Sequence, residues 1–536
     1  MMREVHADIA VIGGGTGGVA AALAALRAGK RVVLTEQYAW LGGQFTSQAV
    51  PPDEHPWVEE FGVTASYRAF REAIRGVYRS AYPMTDRAHN DPRLNPGAGR
   101  VSKLCHEPRA AVTAIELLFA PYRSSGQLIV LQPYLPVGST TDGDRVLAVQ
   151  LARPGESAGV VVTAPYFLDA TETGELLRLA SVEYVTGAEA HADTGEPHAP
   201  AVADPLNHQA ITYCFAIDHV DGDHTIDRPA SYDFWRAYRP SFWGAPLLSW
   251  SAPDPRTLEP ATRSFTPNRS GSVSDSADYQ GRDGGDLDLW LFRRILAREH
   301  FTPGFFASDI VLVNWPQVDY FEAPVIDVPD AEWRLAEARQ LSLSMLYWMQ
   351  TEAPRPDGGA GWPGLRLRPD VVGTEDGLAQ APYVRESRRI VSEYRIVEQD
   401  LALDVRGERG AVRYDDSVGV GMYRIDLHPS TGGDNYIDVA ASPFQLPLGA
   451  LIPVRVQNLL PAAKNIGTTH ITNGCYRLHP VEWNVGEVVG ELAAQCLDLG
   501  VPPTAVRATP TLLGNFQRRL DAHGIERAWP HGVVGY

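Results

Sequence analysis

Cysteine is scarce in this sequence, and its four cysteines are too few in so long a chain to form a disulfide framework. They are Cys105, Cys214, Cys475 and Cys496, and no two of them form a CxxC pair. A zinc or iron–sulfur site therefore has little support, and we expect no metal site. Buried free thiols are the simplest interpretation of all four.

Long apolar runs and an excess of positive charge are also lacking. Residues Ile9 to Ala28 are apolar, but five glycines interrupt them and no cleavage-site pattern follows, so they do not form a secretory signal. No other stretch is long enough to span a bilayer. The formal net charge of −18 repels phosphate backbones and anionic lipids, and the densest basic segment, around Arg388 and Arg389, is short. We therefore expect a cytoplasmic protein whose partners are neither nucleic acids nor membranes.

The length of 536 residues exceeds what one hydrophobic core usually serves. Apolar residues make up 44% of the chain and charged residues 21%, which is typical of a globular protein. We therefore expect two domains, which can be interleaved along the sequence.

Residues 8–36 carry the pattern of a nucleotide-binding unit. The apolar run 8–12 predicts a buried strand, the glycine-rich run 13–18 a tight turn, and the alanine-rich run 19–28 a helix. A second apolar strand follows and ends at Glu36. Strand, glycine turn, helix, strand and acidic residue within about 30 residues are typical of a dinucleotide-binding Rossmann fold.

Each residue type in this unit has a physical role. Gly13 permits the tight turn, and Gly15 lets the backbone approach a pyrophosphate with no Cβ in the way. Gly18 lets the helix pack closely on the strand, and the free amides at the helix start face the phosphate charge. Glu36 can accept hydrogen bonds from both ribose hydroxyls. The residues expected to bind the dinucleotide here are Gly13, Gly15, Thr16, Gly17, Gly18, Glu36 and Gln37.

A second glycine motif, Leu41-Gly42-Gly43-Gln44, follows shortly afterwards and lets the chain pass close to an extended dinucleotide. Together with the glycine-rich run 13–18, which we call the fingerprint, this motif resembles the FAD-dependent oxidoreductase family related to the fumarate reductase and succinate dehydrogenase flavoproteins. The similarity is to a loosely characterised bacterial branch of that family. The resemblance implies that FAD binds non-covalently, and that Gly42, Gly43 and Gln44 contact it. Gln44 and Ser47 are expected to reach the reactive edge of the flavin, and loop capping is the alternative.

Three later segments carry the same resemblance. Residues 167–176 are similar to the strand and turn that re-enter the FAD site, which implies cofactor contacts from Ala170 and Thr171. Residues 458–465 are similar to the last FAD strand, which adds Asn465. The helix that follows is expected over 486–494, with its amino end, Gly486 and Glu487, facing the carbonyl side of the flavin.

The resemblance implies an α/β fold in which a Rossmann-like FAD-binding domain of the glutathione-reductase type carries an inserted α+β substrate or cap domain. We place the FAD-binding domain at 1–186 and 447–500, the cap domain at 187–446 and a C-terminal extension at 501–536. The stretch 191–288, which is rich in Pro, Ser, Asp and aromatic residues, predicts an irregular insertion and a substrate lid.

Candidate catalytic groups concentrate in residues 468–480, directly before the helix that should cap the flavin. Arg477 matches the position at which fumarate reductase relatives bind a substrate carboxylate. The match implies an anion clamp or a contact to the flavin carbonyls, and a structural salt bridge is the alternative. His470 and His479 are acid/base candidates because imidazole exchanges protons near neutral pH.

Three further groups are weaker candidates. His428 and Tyr436 lie in a polar stretch, and Cys105 with His106 has the composition of an activated thiolate pair. Neighbours in sequence need not face each other, so buried structural roles remain the alternative for the pair.

The leading hypothesis is hydride transfer between FAD and a small polar metabolite. No second GxGxxG lies between a strand and a helix, so we expect no separate NAD(P) domain, and oxygen or an external carrier would accept the electrons. Alternatives are a flavin-dependent monooxygenase, a flavin-dependent nucleic-acid modifier and a non-catalytic flavin-binding protein.

Overall fold

The computed structural model describes residues 3–269 and 287–535. Its central sheet is parallel throughout, and its five strands lie in the spatial order Leu459–Pro461, Tyr166–Asp169, Ile9–Ile12, Val32–Thr35 and Leu128–Leu131. Most strand residues are buried, as expected of a parallel sheet covered on both faces. The α/β, Rossmann-like fold predicted from the sequence is confirmed, and the first two strands lie within one residue of their expected bounds.

The described residues also form helices. Those longer than ten residues in the described part of the chain are Thr16–Arg27, Ala65–Ala81, Pro108–Ser124, Ala331–Thr351, His479–Leu499 and Pro510–Ala522. The shorter ones are Asp86–His89, Glu175–Leu179, His191–Thr194, Tyr232–Ala237, Leu289–Phe292, Pro369–Val372, Leu403–Arg406, His470–Tyr476 and Pro503–Ala508.

The two ends of the chain meet through helices Thr16–Arg27 and His479–Leu499. A Cβ atom at Gly486 would lie 2.0 Å from the carbonyl oxygen of Gly17, and one at Gly490 would lie 2.5 Å from that of Ala21. Both distances are far below van der Waals contact, so only glycine permits this spacing of the two helices. The C-terminal segment is therefore an integral part of the first Rossmann unit.

A second sheet lies beside the first, in the order Arg3–His6, Val160–Thr163, Arg145–Ala152 and Leu135–Asp142. Its first two strands are parallel and the remaining pairs are antiparallel. Apolar residues of this sheet and of the central sheet share one buried cluster, which includes Val149, Val162 and Phe167.

The middle of the chain builds antiparallel sheets. One has the order Arg294–Leu296, Ile310–Val313, Phe215–His219 and Leu365–Leu367, and another the order Asp319–Tyr320, Ile211–Thr212 and Tyr383–Val384. Two-stranded pairs are Ser251–Pro253 with Pro260–Thr262, Tyr184–Val185 with Arg389–Ile390, Ser417–Gly421 with Phe444–Pro447, and Ile425–Leu427 with Ile437–Val439. An apolar cluster rich in tryptophan lies between the four-stranded antiparallel sheet and helix Ala331–Thr351.

The prediction that residues 191–288 are irregular is wrong for residues 211–219. These residues form buried strands that pair on both sides within two sheets. Short apolar runs there carry β-branched and aromatic residues, which favour strands over loops. Residues 270–286 of the stretch lie outside the described residues. The domain boundaries at 186, 446 and 500 stay a prediction, as does the substrate lid.

In residues 3–269 and 287–535, no helix combines the length and the apolar character needed to cross a membrane. The same residues contain no group of three or more His, Cys, Asp and Glu side chains arranged to hold a metal ion.

Candidate functional site

A cavity opens at the carboxyl ends of the central parallel strands. This is the edge at which open α/β sheets bind their ligands. Seven of the residues predicted to bind the dinucleotide line this cavity: Gly13, Gly15, Glu36, Gln37, Gly43, Ala170 and Thr171. Ser47, expected near the flavin, also lines it.

Sequence reasoning missed part of the lining: Thr35, Tyr38, Gln48, Tyr134, Leu135, Pro136, Glu172 and Glu175. A signal for Tyr134, Leu135 and Pro136 is present in the sequence. They follow the strand Leu128–Leu131 almost directly, so they leave the parallel sheet at the edge where its carboxyl ends meet.

The fingerprint glycines divide into two kinds. Added Cβ atoms at Gly13, Gly17 and Gly18 would lie 2.2 Å or less from backbone oxygens of the protein itself. A Cβ atom at Gly15 would meet its nearest neighbour, the Ala170 carbonyl oxygen, at 3.7 Å, which is an ordinary contact. Gly15 therefore keeps open a space that the protein does not fill. A pyrophosphate approaching the start of helix Thr16–Arg27 requires this space.

Glu36 directly follows the strand Val32–Thr35 and lines the cavity, where two backbone amides hold its carboxyl group. Its Oε2 accepts a hydrogen bond from the Gly14 amide at 3.1 Å, and its Oε1 accepts one from the Tyr38 amide at 2.8 Å. Burial raises the pKa of this carboxyl to about 7. The carboxyl is held in place with lone pairs left over, which suits it to accept hydrogen bonds from ribose hydroxyls.

The second glycine motif packs directly on the first. Gly42, with a φ of 114°, donates from its amide to the Gly14 carbonyl at 2.7 Å, and the Thr16 hydroxyl donates to the Gly42 carbonyl at 3.0 Å. A Cβ atom at Gly43 would lie 2.8 Å from the Cα atom of Gly15. Both glycine motifs therefore form one surface against the cavity.

Gln44 links this surface to the C-terminal helix. Its Nε2 donates to the Glu482 carboxylate at 2.5 Å and to the Arg477 carbonyl at 3.1 Å. Glu482 in turn accepts a hydrogen bond from the Gly17 amide at 3.4 Å. Ser47 donates to the Gly43 carbonyl at 3.4 Å, which is a loop-capping contact.

Lys464 places a positive charge beside the cavity. It forms an ion pair with Glu172, one of the residues lining the cavity. Asn465 donates from Nδ2 to the Asp169 carbonyl at 3.0 Å and so fixes the end of the last strand to its neighbour. Thr171 donates to the Asp169 carboxylate at 2.6 Å in the same turn.

The expected start of the C-terminal helix at Gly486 is wrong, because the helix begins at His479. Gly486 therefore lies well inside the helix and faces Gly17, and Glu487 accepts a hydrogen bond from the Ser66 hydroxyl at 2.5 Å. Neither residue lines the cavity. Pro480, in the first turn of the helix, was the available signal, since proline favours the first helical positions.

Arg477 lies outside this cavity, in a buried polar group. Its Nη1 donates to the Tyr383 hydroxyl at 2.8 Å, and its Nη2 lies 3.3 Å from the Asp426 carboxylate. Burial opposes the charge, but Tyr383 and Asp426 raise the pKa of Arg477 above its usual value. Its Nε has no hydrogen-bond partner in the described part of the chain. Arg477 is thus an ion-paired residue with one donor left over.

Two more arginines surround Tyr383, and sequence reasoning missed both of them. The guanidinium of Arg385 lies 4.9 Å from the centre of the Tyr383 ring, and its Nη2 is 3.0 Å from Asp319. Burial raises the pKa of Tyr383, while the nearby guanidinium groups of Arg477, Arg385 and Arg293 oppose that rise. We call Arg293, Arg385 and Arg477 the arginine cluster.

Arg293 carries the most unused donors of the cluster. Its Nη2 lies 3.5 Å from Asp53, while its Nε and Nη1 are buried with no hydrogen-bond partner among residues 3–269 and 287–535. Nothing in the local sequence indicates that Arg293 and Arg477 act on the same tyrosine, because 184 positions separate them.

His479 lies next to the arginine cluster. Its Nδ1 accepts a hydrogen bond from the Asp53 amide at 3.2 Å, and its buried Nε2 has no partner within the described ranges. Burial, with the charge of Arg293, lowers the pKa of this histidine well below its usual value. His479 is therefore a neutral imidazole with one fixed and one available nitrogen.

His470 belongs to a different group. Its Nδ1 lies 2.7 Å from Glu386, and its backbone amide donates to Glu189 at 2.9 Å. Burial opposes the charged form, but Glu386 raises the pKa of His470. Arg389 pairs with both glutamates. These contacts are those of a charged histidine in a buried ion-pair network.

Among the weaker candidates, His428 lies 2.6 Å from Asp319, which also pairs with Arg385. The ring of Tyr436 is 5.3 Å from that of His428, and its hydroxyl is buried with no partner among the residues described. Both residues therefore lie at the edge of the arginine cluster.

The activated thiolate pair of Cys105 and His106 is not found. Burial raises the pKa of the Cys105 thiol to about 12, and its Sγ faces the Ser102 carbonyl at 3.7 Å. His106 uses Nδ1 to contact the Glu107 carbonyl at 2.9 Å. Low-pKa cysteines need a positive partner within contact distance, and the sequence neighbour does not provide one.

A parallel sheet with a glycine-lined cavity at its carboxyl edge and a buried carboxylate at the second strand defines a dinucleotide-binding α/β protein. Residues 8–520 match the family described as FAD dependent oxidoreductase. The chain belongs to this family, is an oxidoreductase, and has FAD as its cofactor. Bound FAD would be held by the two glycine motifs, by Glu36 and by the turn at Ala170 and Thr171.

Solved structures with similarity to the chain include the L-proline dehydrogenase of P. horikoshii, at 17% identity over 36% of this chain and 26% of that chain, with a TM-score of 0.19. A geranylgeranyl bacteriochlorophyll reductase-like protein of Thermoplasma acidophilum is 9% identical over 98% of this chain and 85% of that one, with a TM-score of 0.33. The anhydrotetracycline hydroxylase OxyS of Streptomyces rimosus is 11% identical over 97% of this chain and 66% of that one, with a TM-score of 0.30. No curated protein matches the chain.

Proposed function

We propose that this oxidoreductase transfers a hydride between non-covalently bound FAD and a small polar metabolite that carries a carboxylate. We propose further that it is related to the fumarate reductase and succinate dehydrogenase flavoproteins. The observation that carries the substrate class is the arginine cluster, in which Arg293 and Arg477 keep buried N–H groups without partners.

Buried guanidinium donors without partners are costly, and a carboxylate offers the acceptor geometry that suits them. Tyr383 and Asp426 occupy two donors of Arg477, and Asp53 occupies one of Arg293. A substrate carboxylate would engage the remaining N–H groups. Because the cluster is buried, each such contact would act in a medium of low dielectric constant and would orient the substrate strongly.

His479 is the residue we assign to binding the reacting oxygen of the substrate. Its Nδ1 accepts a hydrogen bond from the Asp53 amide, so in the neutral ring Nε2 carries the hydrogen and can donate it to that oxygen. Burial and the positive charge of Arg293 keep the ring neutral. When bound, FAD supplies the acceptor or donor of the hydride. Arg477 and Arg293 hold the substrate carboxylate, and His479 hydrogen-bonds to the oxygen at which charge develops.

Oxygen or an external carrier is the proposed electron acceptor. The cytoplasm is the proposed compartment, because all four cysteines are buried free thiols.

The test uses the purified protein with its bound flavin. Small 2-hydroxy and saturated carboxylic acids, each paired with its uncharged amide, are mixed with it anaerobically while the visible flavin absorbance is followed. We expect an acid to bleach the flavin and its amide to fail. Bleaching by the amides alone would exclude the carboxylate clamp. A product that gains an oxygen atom in air would identify a monooxygenase, and a flavin that no acid or amide reduces would contradict the proposed dehydrogenase.

A further inference from the structure

The wall of the FAD cavity is acidic. Three carboxyl side chains line it, those of Glu36, Glu172 and Glu175, and none of the described residues that line it is a lysine, an arginine or a histidine. FAD brings the negative charge of its pyrophosphate to this wall. The amino end of helix Thr16–Arg27 supplies only about half an elementary positive charge, which is less than the pyrophosphate carries. A further source of compensation is therefore required.

Lys464 lies beside this wall, but its charge is already used. Its side chain is buried, and its Nζ forms an ion pair with Glu172. A second carboxylate, that of Glu482, lies on the phosphate side. It accepts a hydrogen bond from the Gly17 amide at 3.4 Å and lies 3.9 Å from where a Cβ atom on Gly15 would be. Burial opposes the charge of Lys464, but Glu172 and Glu482 raise its pKa. One lysine thus serves two carboxylates before FAD adds its own charge.

Glu172 is the carboxyl group best placed to lose its charge. Burial raises its pKa to about 7, although Lys464 opposes that rise. A neutral carboxyl group has a hydrogen to donate, which a carboxylate lacks. Glu175, on the same wall, is held as an acceptor instead. Its Oε2 accepts a hydrogen bond from the Thr173 amide at 3.4 Å, and its Oε1 accepts one from the Thr173 hydroxyl.

Other ionisable side chains that face Glu172 are Lys464, Glu482, Glu36, Tyr38 and Glu175. Burial raises the pKa of Tyr38 far above its usual value, so its phenol stays neutral. Burial raises the pKa of Glu36 to about 7, and hydrogen bonds from ribose hydroxyls favour its charged form. FAD therefore changes the charge of Glu36 only below about pH 7. Above that pH, the effect of FAD falls on Glu172.

We propose that FAD binds together with a proton, which Glu172 takes up. The neutral Glu172 then donates a hydrogen bond to an oxygen of the cofactor, and Lys464, released from its partner, contributes its positive charge to FAD. The proton and the cofactor strengthen each other's binding by the same factor, because such coupling is reciprocal. The inference rests on the non-covalent binding of FAD proposed above, and it does not depend on the substrate.

The sign of the pH dependence follows from this coupling. Without FAD, Glu172 loses its proton as the pH rises through about 7, so above that pH the binding of FAD must first restore the proton. A like charge nearby shifts a carboxyl pKa by about 1–3 pH units. The affinity for FAD should therefore fall by up to about tenfold per pH unit above pH 7.

The experiment measures the dissociation constant of FAD between about pH 7 and pH 9 at constant ionic strength. The purified FAD-loaded protein is diluted, and the fluorescence of released flavin is read. We expect wild-type affinity to fall about tenfold or more across this range. Glu172→Gln cannot ionise, so it should lose this pH dependence and bind FAD more tightly than the wild type at pH 9. Glu175→Gln removes a carboxylate of the same wall and should keep the wild-type dependence.

A dissociation constant of the wild type that does not change with pH would overturn the proposal. So would a pH dependence that survives in Glu172→Gln, or one that Glu175→Gln abolishes equally. Flavin that stays attached to the acid-denatured protein would instead contradict non-covalent binding, and the inference with it. Tm is measured for each variant. If Glu172→Gln misfolds, Glu172→Ala replaces it, with the same loss of pH dependence expected.

Discussion

Arg477 and Tyr383 are 94 residues apart in sequence, yet the Nη1 atom of the first donates a hydrogen bond to the hydroxyl of the second at 2.8 Å. This contact joins the segment before the C-terminal helix to a strand from the middle of the chain. It fixes one donor of the guanidinium and leaves Nε available in a buried setting. The pairing therefore orients Arg477 without using up its capacity to bind an anion.

The first prediction concerns Arg477. We expect Arg477→Ala to keep its FAD but to have a lower Tm, because Asp426 and Tyr383 lose a buried partner, while the flavin of the folded protein is reduced by substrate at least ~30-fold more slowly. Loss of one charge-assisted contact in the transition state costs about 2–4 kcal/mol, or roughly 30- to 1000-fold in rate. Arg477→Lys should also be impaired, because it keeps the charge but lacks the planar fork.

The control for Arg477 is Tyr383→Phe, which removes the hydroxyl acceptor and leaves the guanidinium in place. We expect a smaller loss of rate in this variant. Stopped-flow flavin reduction and thermal unfolding are measured on the same preparations. A lower Tm with an unchanged reduction rate per folded molecule would show that Arg477 has only a structural role.

The second prediction concerns Gly15, where a Cβ atom meets no atom of the protein closer than 3.7 Å. Gly15→Val should fold with little loss of Tm but lose most of its FAD, because the branched side chain projects into the space needed by the pyrophosphate. Flavin content per protein, read from absorbance, is the measurement. Gly159→Val is the matched control, since an added Cβ atom there meets nothing within 4 Å.

A contrasting variant sharpens this test. Gly17→Ala would place its Cβ atom 1.8 Å from the Ala462 carbonyl oxygen, so we expect it to lower Tm whether or not FAD is present. Stoichiometric FAD in Gly15→Val would mean that the fingerprint glycine has no role in the approach of the cofactor.

The third prediction is a pH dependence of stability from the pair of His470 and Glu386. The folded pKa of His470 is raised above 6.5, so its contribution to stability is complete below pH 6.5 and is lost as pH rises through the folded pKa. The folded pKa of Glu386 is lowered to about 2, so its contribution is present above its ordinary value and is lost only as pH falls toward 2.

The measurement for this pair is Tm as a function of pH for the wild type and His470→Gln. The difference in Tm between wild type and His470→Gln should be largest at about pH 6. It should shrink as the pH rises, because His470 of the wild type then loses its proton and its ion pair with Glu386. His219→Gln, whose histidine does not pair with Glu386, serves as the control. Parallel curves for wild type and His470→Gln across the whole range would contradict the charged state assigned to His470.

The local parts of the fold were predictable from the sequence, whereas the convergence of distant side chains was not. The strand, glycine turn and helix of residues 8–36 follow from periodicity and from the steric needs of Gly13 and Gly15, which are local properties. The family resemblance predicted a helix over 486–494, whereas Pro480 is the local residue that indicates the earlier start at His479. Arg385 lies two residues after Tyr383, so strand alternation could have placed the two on one face. Arg293 gave no signal, because nothing near it in sequence indicates that it lies beside Tyr383.

The contact between Gly17 and Gly486 has a consequence for biosynthesis. A ribosome that has made the fingerprint turn must still add more than 400 residues before the helix that packs on it exists. The edge strand Leu459–Pro461 emerges equally late, so the nascent Rossmann unit exposes an apolar sheet edge during most of translation. Folding of the FAD-binding sheet is therefore completed only after residues 459–486 have been synthesised.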